Sequence, residues 1–103
     1  MILVNVEQIS GKEYDVISLV KGNTVQAKNF GRDFMAGMKN LVGGEIKGYT
    51  EMLTEAREIA INRMIADAEG MGADAIVNVR FASSHIMDGA AEVIAYGTAV
   101  KFK

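Results

Sequence analysis

The spacing of apolar residues changes period twice along this chain, and that change constrains the fold more than any other feature. Ile2 to Val6 alternate, and Tyr14 to Val20 set Tyr14, Val16 and Val20 against Ile17 and Leu19, a period of two that predicts strands. Lys21-Gly22-Asn23 then offers turn chemistry, and Thr24 to Ala27 reads as a short return strand, so a hairpin is expected. From Phe30 the period becomes helical. Phe30, Phe34, Met38 and Leu41 or Val42 recur at three and four, with Asn29 placed to cap the start and Gly43-Gly44 to end the run. Glu45 to Gly48 reads as the reversing loop. A longer helix is expected from about Tyr49 to Glu69, its apolar stripe holding Tyr49, Met52, Leu53, Ala56, Ile59, Ala60 and Met64 opposite Glu51, Glu55, Glu58, Asn62 and Glu69. Ile61, Ile65 and Ala68 widen that stripe, so the helix is expected to touch two neighbours.

The period returns to two after Gly70-Met71-Gly72. Ala75, Val77, Val79 and Phe81 alternate with Ile76, Asn78, Arg80 and Ala82, a polar loop is read from Ser83 to Ala90 around Asp88-Gly89, and AEVIAYGTAVKFK closes the chain as a strand. That strand is large on one side, at Ile94, Tyr96, Val100 and Phe102, and small on the other, at Gly97 and Ala99. Small side chains admit another backbone or helix. The order predicts an α+β two-layer sandwich, a largely antiparallel sheet with two helices on one face, as a single domain over residues 1–103.

Composition narrows the function classes. With 50% of residues apolar and 23% charged, the chain can bury a core. There is no Cys, hence no disulfide, no thiolate metal ligand and no Cys nucleophile, which fits a cytoplasmic protein. The start MILVNVEQIS has no basic n-region, and charges interrupt every apolar patch, so neither export nor a membrane partner is expected. A net charge of −2 with scattered basic residues gives no footprint for nucleic acid. No P-loop, dinucleotide fingerprint, HExxH or nucleophile elbow is present, and Ser83-Ser84-His85 alone do not define a nucleophile and its base; the chain reads as non-enzymatic.

Arg32-Asp33, Gly43-Gly44, Tyr49, Ala56-Arg57-Glu58, Gly72-Ala73 with Ala75, and Gly97-Thr98-Ala99-Val100 follow one another in an order and spacing that resembles the YbjQ-like family of small proteins carrying a heavy-metal-binding label. The resemblance covers nearly the whole chain. It implies a dodecin-like subunit and a homopentamer, with any small ligand held at subunit interfaces or in a central cavity.

Several residues are candidates for such contacts. Arg32 and Asp33 fall in the first turn of the expected first helix, where the acid suits the helix N-terminus and the base calls for another reason; an anionic ligand, a neighbour's carboxylate and a plain surface ion pair are all open. Gly43-Gly44 before Glu45 can form an anion nest or simply stop a helix. Tyr49 stands near the helix ends, Arg57 belongs to the resembling series, and Arg63 with Asp67 makes an i, i+4 pair at the edge of the apolar arc, either at a rim or facing a partner. Gly97 marks the small sheet face. For metal, the one His, His85, with Asp88 and Glu92 is the alternative set for a divalent ion such as zinc; otherwise no cofactor is implied.

Overall fold

The computed structural model describes residues 1–27 and 43–103, with residues 43–47 described by backbone alone. Among the described residues four strands form one sheet: β1 (Ile2–Leu3), β2 (Tyr14–Ala27), β3 (Ala75–Met87) and β4 (Ala90–Phe102), in the order β1-β3-β4-β2. β4 pairs antiparallel with both β2 and β3, whereas β1 runs parallel to β3. One helix among the described residues, α1 (Gly43–Gly70), lies across β2 and β4. Among the described residues a single helix lies on a mixed sheet, which departs from the expected two-helix, largely antiparallel, dodecin-like layout. The expected helix from Phe30 to Val42, with its Asn29 cap, falls outside the described residues.

The packing of α1 follows from one row of side chains. Met52, Ala56, Ala60, Met64 and Ala68 are four apart, which places them on one face, and all are buried. Against them the sheet presents Val20, Ile76, Val79, Val93, Ala95 and Ala99. Three alanines in that row let the helix axis come close to the sheet. Burying each of the largest side chains, Met64, Ile76, Val20 and Val100, contributes roughly 1.5–3 kcal/mol. Ile61 and Ile65 pack against the same cluster at its margin, so the width of the apolar stripe is used within this chain. Glu51, Glu55, Glu58, Asn62 and Glu69 are exposed, as their spacing predicts. The helix closes on Gly72, at φ 76°, with Gly72 N–H donating to the Glu69 carbonyl and Ala73 N–H to that of Ala68.

Three local expectations are corrected. Lys21-Gly22-Asn23 is not a turn: β2 continues from Tyr14 to Ala27 and, apart from a register shift at Ile17, pairs with β4 throughout. The glycine is there for space. A Cβ on Gly22 would lie inside contact distance of the Ala60 carbonyl oxygen and the Met64 amide nitrogen, so α1 crosses β2 at the one residue without a side chain. Second, Gly43-Gly44 and Glu45 to Gly48 form the start of α1, not a helix stop and a reversing loop. Third, Ser83 to Met87 is strand, and β3 turns directly into β4 through Asp88-Gly89.

The alternation of β3 is also broken. Two residues, Asn78 and Val79, stand opposite Gly97, between the pairs Val77↔Thr98 and Arg80↔Tyr96, and Asn78 sits at φ 55°. This bulge moves Val79 to the helix side with Ile76, while Ala75 and Val77 join Val100 in a second cluster on the other side. Val4, Ile9, Tyr14 and Phe102 surround that second cluster, and the Tyr14 hydroxyl donates to the Glu7 carbonyl.

Candidate functional site

The sheet has two unlike margins, and the side chains singled out by the sequence fall along them. On the β2 margin, Arg63 Nη1 donates to the Asn23 carbonyl at 2.7 Å, and Asp67 Oδ2 accepts from Lys21 N–H at 3.2 Å. These backbone groups point away from β4, at the outer edge of the strand. The i, i+4 pair therefore caps the edge at Lys21–Asn23 instead of forming an ion pair with itself. Charged groups on an edge discourage pairing with another strand at that point.

On the β3 margin, β1 covers only the start. Val79 N–H donates to the Val4 carbonyl and Arg80 Nη1 to that of Asn5, both at the point where the N-terminal segment leaves the sheet. Beyond it, alternation directs the backbone groups of Phe81, Ser83 and His85 outward, with no described strand beside them. Their side chains lie on the helix face, which α1 leaves open here because it rides over β2 and β4. Between α1 and β3 is a pocket of about 170 Å³ lined by Leu53, Arg57, Phe81, Ala82, Ser83 and Val93. Arg57 Nη2 donates to Thr54 Oγ1 at 3.2 Å, and among the described residues it has no ion pair.

At the far end of the sheet, Asp74 ties the start of β3 to the end of β4. Its Oδ2 accepts from Phe102 N–H at 2.8 Å, and its Oδ1 lies 3.4 Å from Lys101 Nζ. The Phe102 amide first, then Lys101, hold the Asp74 carboxyl below the ordinary carboxylate range.

The other sequence candidates are dispersed. Arg32 and Asp33 lie outside the described residues. Gly43 and Gly44 are the first residues of α1, and Tyr49 is half-buried in its second turn. Gly97 is buried, but what presses on it is its own chain: an added Cβ would meet Ile76 Cγ2 at 2.7 Å and the Val77 carbonyl at 3.0 Å. Its small size is explained by the bulge in β3. Leu53 and Phe81 were not among the candidates; the i, i+4 spacing of Leu53 and Arg57 and the i, i+2 spacing of Phe81 and Ser83 are the signals that could have paired the pocket's residues.

The metal set does not assemble. His85 Nε2 and Asp88 Oδ1 are 3.9 Å apart at the hairpin tip, with side chains 64% and 89% exposed. Glu92 pairs with Ser84, whereas His85 pairs with Ala91, so the His85 and Glu92 side chains leave opposite faces of the sheet. Among the described residues no three His, Cys, Asp or Glu side chains converge, and the chain has no thiolate to offer a soft ion. The same alternation separates Ser83 and His85 from Ser84.

A family model for YbjQ, described as "Putative heavy-metal-binding", matches residues 1–103. A UPF0145 protein of Clostridium novyi is 65% identical over 101 residues, covering 98% of each chain. One from Alkaliphilus metalliredigens is 57% identical over 102 residues, covering 99% of each, and one from Colwellia psychrerythraea is 59% identical over 104 residues, covering 100% of this chain and 99% of its own. Among solved structures, a protein of unknown function of the DUF74 family from Pediococcus pentosaceus aligns with a TM-score of 0.66 at 12% identity, covering 100% of this chain and 98% of its own; this likeness extends to the fold alone. Among the described residues no helix is long and apolar enough to cross a membrane.

Proposed function

The chain belongs to the YbjQ family of UPF0145 proteins, and from that premise we propose that it acts as a non-enzymatic, self-assembling module whose copies join through the margins of the sheet. The observation that carries this reading is a pair of unlike edges with no described strand beside them. One is the outer side of β2 away from the Arg63–Asp67 cap; the other is β3 from Phe81 to His85. An edge that meets a different edge makes a head-to-tail contact, and such contacts close into rings when the rotation permits. A cyclic homo-oligomer follows, with five copies the number that the family resemblance implies.

Exposed apolar side chains support the same assignment. Val16, Leu19 and Val25 on β2 are 67%, 63% and 56% exposed, and Ile86 and Met87 stand uncovered at the tip of the β3–β4 hairpin. Long edges flanked by apolar side chains are a liability in a monomer and a resource in an assembly. Arg63 and Asp67 then restrict pairing to chosen parts of the β2 edge.

The family's heavy-metal description does not transfer to this chain's described donors, which supply one exposed His–Asp pair and no thiolate, so no metal chemistry is assigned. Sedimentation velocity across a dilution series tests the assembly. The expected result is a discrete species of several times the 11.1 kDa chain mass that persists at micromolar concentration; a monomer throughout would overturn the proposal.

A further inference from the structure

We propose that the pocket between α1 and β3 binds a small monocarboxylate with an apolar body, Arg57 taking the carboxylate and Phe81, Leu53 and Val93 the body. The pocket's floor is Val93, 3% exposed, and one wall is Phe81, held 48% exposed because α1 passes over β2 and β4 and stops short of β3. The opposite wall is a single turn of helix, Leu53 and Arg57, four residues apart and therefore on one face. Ser83, two residues along β3 from Phe81, puts a hydroxyl on the same side of the sheet.

The charge of Arg57 selects the ligand. The helix positions three and four residues away are Leu53, Thr54, Ala60 and Ile61, so no carboxylate is available at the spacings where a helical arginine finds one. Its partner is the neutral Thr54 hydroxyl, which itself donates to the Thr50 carbonyl at 3.0 Å. That bond uses one Nη2 donor, and the remaining donors of the guanidinium fork are suited to a planar carboxylate. One cation and one hydroxyl suit a single negative charge, not a polyphosphate.

Volume sets the class. At about 170 Å³ the pocket is smaller than the roughly 300–1,000 Å³ of drug-sized ligand sites, yet it far exceeds what a lone water needs. It has room for a fragment such as benzoate. The side chains that line the site come from one chain, although Phe81 and Ser83 also belong to the β3 edge assigned above to assembly.

Titration of ¹⁵N-labelled full-length protein with benzoate and, separately, with its neutral isostere benzamide tests the proposal, read by amide and Arg Nε–H shifts. Benzoate at millimolar concentration is expected to move Leu53, Arg57, Phe81, Ser83 and Val93 together, and more strongly than benzamide does. In Arg57→Gln, benzoate affinity is expected to fall about tenfold or more, the worth of one charged hydrogen-bonded pair, while benzamide binding stays as it was. Arg57 is exposed and outside the core, so the variant is expected to keep the parent's melting curve and sedimentation profile. Equal responses to the two probes, shifts elsewhere on the protein, or binding undiminished in Arg57→Gln would overturn the proposal. A change of oligomeric mass in Arg57→Gln, with no benzoate shifts at the pocket in the parent, would do so too, because the natural occupant would then be a neighbouring copy's carboxylate.

Discussion

Replacing Gly22 with alanine puts the closest helix–sheet contact to the test. The new Cβ would stand 2.7 Å from Arg63 Cβ and closer still to two backbone atoms of α1, the Ala60 carbonyl oxygen and the Met64 amide nitrogen. Ordinary carbon–carbon contacts lie at about 3.5–4.0 Å, so the helix has to move away by roughly 1 Å, and backbone atoms cannot rotate aside as a side chain can. Overpacking of this kind costs about 1–3 kcal/mol. The same displacement stretches the Arg63–Asn23 and Asp67–Lys21 bonds, each worth about 0.5–1.5 kcal/mol. Against this, alanine restricts the unfolded chain and returns about 0.4–1 kcal/mol. A net loss of roughly 2–4 kcal/mol is expected, and at 4–8 °C per kcal/mol for a domain of this size that is a fall in Tm of roughly 10–30 °C. Urea unfolding followed by circular dichroism at fixed protein concentration reads it as a lower midpoint with an unchanged slope. Gly70→Ala is the control, because nothing lies within 4 Å of its added Cβ. If Gly22→Ala unfolded within about 0.5 kcal/mol of the parent, the range of an ordinary surface change, the close crossing of α1 over β2 would be refuted.

Two further outcomes follow from the same geometry. Gly97→Ala places a Cβ against Ile76 Cγ2 and the Val77 carbonyl, so it is expected to destabilise the subunit's own fold by about 1–3 kcal/mol; loss of assembly with unchanged subunit stability would contradict that. Asp74→Asn is expected to lower stability at neutral pH. Because the folded-state pKa of Asp74 is depressed, its contribution is present above the ordinary carboxylate pKa and disappears as pH falls through the depressed value, so the gap between parent and variant narrows in acid. Urea midpoints at neutral and acidic pH measure it, and a gap that stayed constant with pH would contradict the role given to the Phe102 amide and Lys101.

What the sequence discloses depends on how local the signal is. The long helix and its buried row from Met52 to Ala68 are legible because helical period is a property of the segment itself. The closing strand is legible for the same reason. Gly22 misleads because a glycine between polar residues has two uses, turning the chain and admitting a neighbour, and only the helix forty residues later decides between them. Asn78 misleads in another way: one inserted residue reverses the face of everything after it, so Val79 changes sides with no change in the apolar pattern. The β1–β3 pairing joins residues more than seventy positions apart, and no short-range pattern encodes it. The pocket is a long-range product too. Arg57 was visible as a candidate, but its isolation at the margin of α1 becomes apparent only when Phe81 and Ser83 are placed beside it. Conversely His85, Asp88 and Glu92 are close in sequence yet strand alternation separates them, which is why proximity along the chain suggested a metal set that the sheet does not build.

The claim that unlike sheet edges join the copies rests on the outward amides of Phe81, Ser83 and His85, and amide hydrogen exchange reads those groups one by one. In concentrated, assembled protein these three amides are expected to exchange slowly, with protection lost on dilution to the dissociated chain while the core amides of β4 stay protected. Fast exchange at Phe81, Ser83 and His85 in a sample whose sedimentation shows an intact oligomer would contradict the account and place the interface elsewhere.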